Sequence, residues 1–372
     1  MSLLYSQGQS QRADWPVYGG SPGSTRYSGL KQINQSNVSQ LQVAWTYDAG
    51  NAGGTLETNP IVVNGVLYGY ATGGKVFAVN AATGKQLWKF DPGTAGRGQN
   101  RGLSYWSGAD QRIFAPVQRY VYALNAETGK PVPEFGQGGR IDVQADLRGG
   151  PDNISAAVGH APVVYKDLLI FAGRTGESLP AAPGDIRAYD TRTGKLRWSF
   201  HTLPHPGEYG YDTWPKDAWT YIGNLASWPG MSLDAQRGIV YVPVVNPANM
   251  FIGRDRLGDN LFGDTLLALN AETGERIWHF QSVKHDLWDR DLPAPPTLVT
   301  VKRDGRSIDA VAQTTKQGFL FLFDRANGTP LFPIEYRKVP ASTIPGEHAA
   351  ETQPFPVKPE PFARQLLTED ML

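Results

Sequence analysis

The chain has 372 residues, no cysteine, and 35 Lys plus Arg against 35 Asp plus Glu, so its formal charge is zero. A neutral chain without a basic stripe argues against a nucleic-acid partner. The lack of Cys excludes disulfides, thiol nucleophiles and covalent c-type haem, and no apolar run approaches the roughly 20 residues of a membrane-spanning helix. Gly 42 and Pro 28 among alternating aliphatic runs predict many short strands and turns.

In chain order, residues 1–40 read as an N-terminal extension. Met1 to Gln7 lacks the charged start and long apolar stretch of a secretory leader. Leu41 to Tyr47 reads as a lone strand, the fourth of a unit whose other strands are absent. Residues 59–90 then show one whole unit. Pro60–Val63 is a strand, Asn64-Gly65 a tight hairpin, Val66–Tyr70 and Lys75–Val79 the next strands, and Gln86–Phe90 the fourth after an Ala-Ala-Thr-Gly turn.

That turn recurs. Ala78–Gly84, Ala123–Gly129, Ala188–Gly194 and Ala268–Gly274 share one pattern, and Leu322–Gly328 is a weaker copy. Three copies place Trp four residues after the Gly (Trp88, Trp198, Trp278); the second has Pro133 there and the fifth Phe332. Four antiparallel strands per repeat make the blade of a β-propeller. The fold class is therefore all-β, a propeller spanning 41–372, with five blades plus the N-terminal strand. Each part of the repeat has a structural task. Gly supplies the positive φ of the turn, Asn or Asp bonds its own turn backbone, and Trp packs between blades, burying on the order of 200 Å².

The extra length lies at 131–160, 174–185, 201–227 and 246–264, with a Pro-rich tail over 340–372. The first-to-second and third-to-fourth strand turns stay short, so the elaborated connections all emerge on the opposite face, where loops on a rigid scaffold carry function. The polar residues predicted there are Glu57, Arg101, Glu177, Trp228, Asn246, the run His285–Asp291 and Lys316. Carboxylate and amide oxygens round one mouth suit a hard cation such as calcium. Arg and Lys beside them suit an anionic cofactor or a developing oxyanion.

The repeated turn with its Trp, Asp14–Gly20, Asn100-Arg101-Gly102, His285–Pro293 and Lys316-Gln317-Gly318 together resemble the pyrroloquinoline quinone (PQQ) dependent alcohol and sugar dehydrogenases, most closely the glucose dehydrogenase-like branch. The resemblance implies an eight-bladed ring, which puts about three blades outside these five; if 372 residues were the whole chain, the exposed strand edges of an unclosed ring would predict association into a homo-oligomer or aggregation. It implies PQQ contacts from Glu57, Arg101 and Lys316, with Trp228 as the floor under the quinone. Arg174 would pair with a PQQ carboxylate. Glu177 and Asn246 would be calcium ligands, Asp289 the general base that also touches the metal, and Asp291 a further metal oxygen. Lys316 would serve catalysis by holding the quinone oxygens. With no cysteine pair over the quinone, residues 94–99 would cover it. Trp106 stands where the membrane glucose enzyme has a His near its substrate. A small alcohol or sugar would be oxidised in the periplasm, with electrons passing to an external acceptor, ubiquinone or cytochrome c. The rival readings are a non-enzymatic propeller scaffold of outer-membrane assembly, which needs none of the mouth residues, and an inactive truncated relative.

Overall fold

The computed structural model describes residues 14–50, 57–94, 100–148, 155–366 and 368–371. The predicted cover at 95–99 lies outside them. Four four-stranded antiparallel sheets and one three-stranded sheet follow one another along the chain. The first blade contains Ile61–Val63, Val66–Tyr70, Val76–Asn80 and Gln86–Phe90. The third contains Val163–Tyr165, Leu168–Ala172, Ile186–Asp190 and Leu196–Phe200. The fourth contains Ser232–Asp234, Ile239–Val244, Thr265–Asn270 and Arg276–Gln281. Buried aliphatic and aromatic residues form separate clusters between successive blades rather than one central core, as expected for stacked units that bury their faces on neighbours.

The repeated turn is built as its composition requires. Asn80 Oδ1 accepts from the Ala82 and Thr83 amides, both at 3.0 Å, and from the Thr83 hydroxyl at 3.1 Å. Gly84 has φ +70°, a value that a side chain disfavours. The Trp does not pack on its own turn. The Trp88 ring lies over Gly129 of the next blade, where an added Cβ would stand 2.5 Å from the ring. Its Nε1 donates to Ala126 O at 2.9 Å. Trp278 treats Gly328 and Arg325 O in the same way, and Trp198 treats Gly274 and Ala271 O. One turn thus serves two blades.

Four departures from the sequence reading have physical causes. Leu41–Tyr47 forms no ladder among the described residues, yet Trp45 docks on Gly84 and donates to Ala81 O at 3.1 Å, so it fills the docking role of a fourth strand without the strand. The second blade's fourth strand is not at the usual place. Its other strands are Ser104–Trp106, Arg112–Val117 and Tyr120–Asn125, and the fourth is Arg140–Asp142, inside the segment read as an insertion. Pro131 and Pro133 occupy the usual site and cannot donate to a ladder; Gly136, in place of a Trp, packs on Gly194. The fifth blade has Thr297–Arg303, Arg306–Thr314 and Leu320–Asp324, then a single bridge from Phe323 to Pro330. Part of the Pro-rich tail instead forms a hairpin, Ile334–Lys338 against Thr352–Pro356. Finally, the N-terminal segment is no appendage. Trp15 and Val62 exchange amide hydrogen bonds on the first strand of blade one, while the Leu233 and Leu298 amides donate to Pro22 O and Gly23 O. Residues 15–23 therefore tie the first strands of blades one, four and five together.

The docking contact should be energetically coupled. Trp88→Ala should cost about 3–5 kcal/mol, Gly129→Ala about 1–3 kcal/mol, and the double variant clearly less than their sum when measured by chemical denaturation. Strict additivity would contradict the contact.

Candidate functional site

Each predicted mouth residue sits at the same end of its blade. Glu57 and Arg101 precede the first strands of blades one and two; Arg174 and Glu177 follow the second strand of blade three. Trp228 precedes blade four, Asn246 follows its second strand, Asp289 and Asp291 precede blade five, and Lys316 follows its second strand. Because alternate strand ends of antiparallel sheets share a face, these residues converge. Arg101, Arg174, Glu177, Trp228, Asn246, Asp289, Asp291 and Lys316 line one pocket of about 300 Å³. Glu57 reaches it through an ion pair with Arg101 at 3.5 Å.

The pocket has a basic and an acidic side. The Arg101 guanidinium lies over the Trp228 ring, 5.0 Å from its centroid, and Arg174 pairs with Glu177 at 3.7 Å. Lys316 Nζ stands 3.0 Å from Asp289 Oδ1 and 3.2 Å from Asp291 Oδ2. Burial pulls the Lys316 ammonium down, but attraction to Asp291 and Asp289 outweighs it and leaves the group above the usual Lys range. Lys316 is therefore a cation at any physiological pH. Burial lowers Arg101 despite Glu57, which at its starting value leaves it charged.

Asn246 is the most telling residue. It is fully buried, and its Nδ2 donates to Asp289 Oδ1 at 3.4 Å. Its Oδ1 has no hydrogen-bond partner. A buried amide oxygen left unpaired costs roughly 1–3 kcal/mol, and a cation in the pocket would satisfy it. Glu177 and Asp289 line the same space, and with Asn246 they offer the oxygen ligands that a hard cation takes. Three cationic side chains and a flat aromatic floor equally suit a planar polycarboxylic acid.

Asp291, expected as another metal oxygen, meets three donors. The Trp228 Nε1 donates to its Oδ2 at 2.9 Å, and the Asn246 amide to its Oδ1 at 3.1 Å; Lys316 is the third.

The run His285–Asp291 also holds a role that the sequence reading did not assign. Asp289 has φ +53°, an uncommon value for a non-glycine residue. The Asp286 carboxylate holds that shape by accepting from the amides on either side, Trp288 N at 2.9 Å and Arg290 N at 2.6 Å. Burial pushes Asp286 up, against these amides and Arg256. Arg256, buried itself, donates to Asp286 O and to Asn249 O. Asp264 is fully buried, and burial together with Asp286 and Asp291 drives its carboxyl well above the usual range. Gln353 clips the same run in place: Lys284 N donates to its Oε1 at 2.8 Å, and its Nε2 donates to Lys284 O at 2.6 Å. The spacing Asp-x-Trp-x-Arg does match a carboxylate capping a turn, but one such Asp in an acidic run gives no sign of which acid caps and which faces the pocket.

Trp106 is away from the pocket. Its Nε1 donates to Lys166 O at 3.1 Å, and Arg112 and Arg192 lie over its ring, on the face of the short turns. A larger opening of about 1160 Å³ does adjoin the pocket, sharing Asp289 and Lys316, and runs between 285–290 and the segment 339–355. The cluster His201, His205 and Glu208 has ligand-type atoms within 4.8 Å of one another. Glu208 Oε1 pairs with His201 Nδ1 at 2.9 Å and its Oε2 accepts from the His205 backbone amide at 2.7 Å, and the two imidazole rings stack at 3.8 Å.

The Asp286 brace is testable without any ligand. Asp286→Ala should release the Trp288 and Arg290 amides to exchange about ten-fold faster or more, with amides of the blade strands unchanged. Unaltered exchange at Trp288 and Arg290 would refute the brace.

The profile of the PQQ glucose/ethanol/alcohol dehydrogenase β-propeller domain matches residues 15–372. Quinoprotein glucose dehydrogenase A of Acinetobacter calcoaceticus is 33% identical over 389 residues, covering 92% of this chain and 47% of that protein. The quinoprotein glucose dehydrogenase of Escherichia coli is 32% identical over 371 residues, covering 92% and 46%. The crystal structure of quinohemoprotein alcohol dehydrogenase from Comamonas testosteroni superimposes with a TM-score of 0.76 at 27% identity, over 93% of this chain and 52% of that one. The chain spans about half the length of the curated relatives it matches. With five consecutive blades of the quinoprotein type and the mouth that they build, this chain belongs to the PQQ-dependent glucose/ethanol/alcohol dehydrogenase family.

Proposed function

We propose that this chain forms the PQQ- and calcium-binding part of a dehydrogenase that oxidises a hydroxyl group of an alcohol or sugar. The observation that carries the proposal is the buried, unpartnered Asn246 Oδ1 in a pocket with Glu177 and Asp289. Those three oxygens would hold the cation. Arg101, Arg174 and Lys316 would meet the acid and carbonyl oxygens of PQQ, Glu57 would steady Arg101, and Trp228 would lie under the ring system. When bound, PQQ supplies the two-electron redox chemistry that no side chain here can provide.

The chain's own residues account for the proton and the charge. Asp289 is the general base that takes the substrate's hydroxyl proton at a carboxylate oxygen. Its ion pair with Lys316 at 3.0 Å holds the carboxylate at the pocket wall. Lys316, held as a cation, stabilises negative charge developing at an oxygen beside it. The left-handed backbone at Asp289, braced by Asp286, fixes the direction in which its carboxylate points. The adjoining 1160 Å³ opening, shared by Asp289 and Lys316, gives the substrate its approach.

Relatives named as glucose, alcohol and quinate/shikimate dehydrogenases bear on the substrate class, a compound with an oxidisable hydroxyl, and the last two carry a quinone in their names. Electrons would leave to an external acceptor, ubiquinone or cytochrome c, in the periplasm. Calcium is the cation that the oxygen donors suit.

The test is dye-linked oxidation of alcohols and sugars after adding PQQ and calcium. Asp289→Asn should lower turnover about 10²–10⁴-fold with PQQ affinity nearly unchanged. Near-normal turnover in Asp289→Asn would remove it as the base. Absence of both PQQ binding and turnover in the parent chain would favour a scaffold or an inactive relative.

A further inference from the structure

We infer that Asp291 is a positioning residue that sets the cofactor floor and the catalytic lysine in register, with its oxygens spent on protein donors instead of a metal ion. This rests on the reading of the pocket as the PQQ site, and it concerns how the pocket is held in shape before any ligand arrives.

Asp291 is 6% exposed, so its carboxylate must be paired inside the protein. A carboxylate has about four acceptor directions, and three are filled here by groups from three separate segments. Trp228 Nε1, on the loop leading into blade four, donates to Oδ2 at 2.9 Å. Lys316 Nζ, beyond the second strand of blade five, reaches the same oxygen at 3.2 Å. The Asn246 amide, at the end of the second strand of blade four, donates to Oδ1 at 3.1 Å. The Lys316 amide also donates to Asp291 O at 3.3 Å, so side chain and backbone of one residue join blades four and five at the mouth.

The direction of the Trp228 contact matters. An indole N–H lies in the plane of its ring, so a hydrogen bond at that edge fixes the ring's rotation and leaves its faces clear. Arg101 lies against one face. Without Asp291 the indole could still occupy the site, but its plane would no longer be set, and a flat cofactor needs that plane. The Asn246 amide is fixed by the same carboxylate, which places the side chain whose Oδ1 is left unpartnered. Asp291 therefore orients three groups, none of which it resembles chemically: a stacking surface, an ammonium and an amide oxygen.

The contrast with Asp289 supports the division of roles. The Asp289 side chain is 28% exposed and opens on the pocket and the adjoining channel, whereas that of Asp291 is 8% exposed. Two carboxylates two residues apart thus do different things, one facing the reaction and the other holding the parts that surround it.

Hydrogen exchange at the Trp228 indole N–H, followed by NMR of tryptophan-labelled protein without PQQ or added metal, tests this directly. Its resonance is assigned by its loss in Trp228→Phe. In Asp291→Ala the Trp228 indole should exchange about ten-fold faster or more, while the Trp88 and Trp278 indoles keep their parent rates and report an intact propeller. Asp291→Asn retains one acceptor oxygen and should fall between the two. PQQ affinity should weaken in the same order. An unchanged Trp228 rate in both variants would overturn the inference, as would PQQ affinity that is lost while the Trp228 indole stays protected, the behaviour of a metal ligand. If Asp291→Ala does not fold, Asp291→Asn decides alone by the same two readouts. Should the parent chain fail to bind PQQ, the cofactor reading falls, whereas the exchange result still stands or falls on its own.

Discussion

A tryptophan laid across the glycine of the next blade sets the geometry at three of the four junctions between the five blades. The glycine has positive φ and no side chain, so the indole can approach the turn closely. The indole N–H then finds the carbonyl two residues into that turn, at 2.9 Å for Trp88 and 3.1 Å for Trp278. Contact and hydrogen bond together fix the rotation between neighbouring blades. Because every blade has the same strand order, a fixed rotation brings equivalent strand ends to one place. The mouth residues are far apart in sequence, from Glu57 to Lys316, and meet because the blades are held in this way. The docking contact thus builds the pocket without taking part in its chemistry.

Within the pocket, the constraint is charge. The chain as a whole is neutral, but the mouth gathers Arg101, Arg174 and Lys316 against Glu57, Glu177, Asp289 and Asp291. Buried like charges on the acidic side repel unless each has a partner. Lys316 answers two of them, Arg174 answers Glu177 and Arg101 answers Glu57, while the acids behind the pocket, Asp264 and Asp286, are pushed up by burial. The Asn246 side-chain oxygen is left without a hydrogen-bond partner, the need that the proposed cation would meet. The larger of these two openings, about 1160 Å³, is the channel beside the pocket and not the pocket itself.

Much of this was legible in the sequence because it repeats. The Asn-x-x-Thr-Gly turns identified the blades, the short and long connections sorted the two faces, and the face assignment predicted which loop residues would meet. What escaped was whatever one copy does differently. Pro131 and Pro133 move the second blade's fourth strand to Arg140–Asp142, and nothing in the repeat shows where a displaced strand will land. Residues 15–23 read as an extension because pairing with first strands across blades leaves no periodic signal. Trp106 was placed by resemblance alone, and packing between Arg112 and Arg192 put it elsewhere. The bracing role of Asp286, inside the predicted run His285–Asp291, was not legible because a side chain that bends its own backbone looks, in sequence, like any acid in an acidic run.

The most direct measurement is a calorimetric titration of PQQ into this chain with calcium present and with calcium removed by chelation. The account predicts one saturable site per chain that weakens markedly without calcium and is lost in Trp228→Ala. Absence of saturable binding with calcium present, or binding indifferent to both calcium and Trp228, would contradict it.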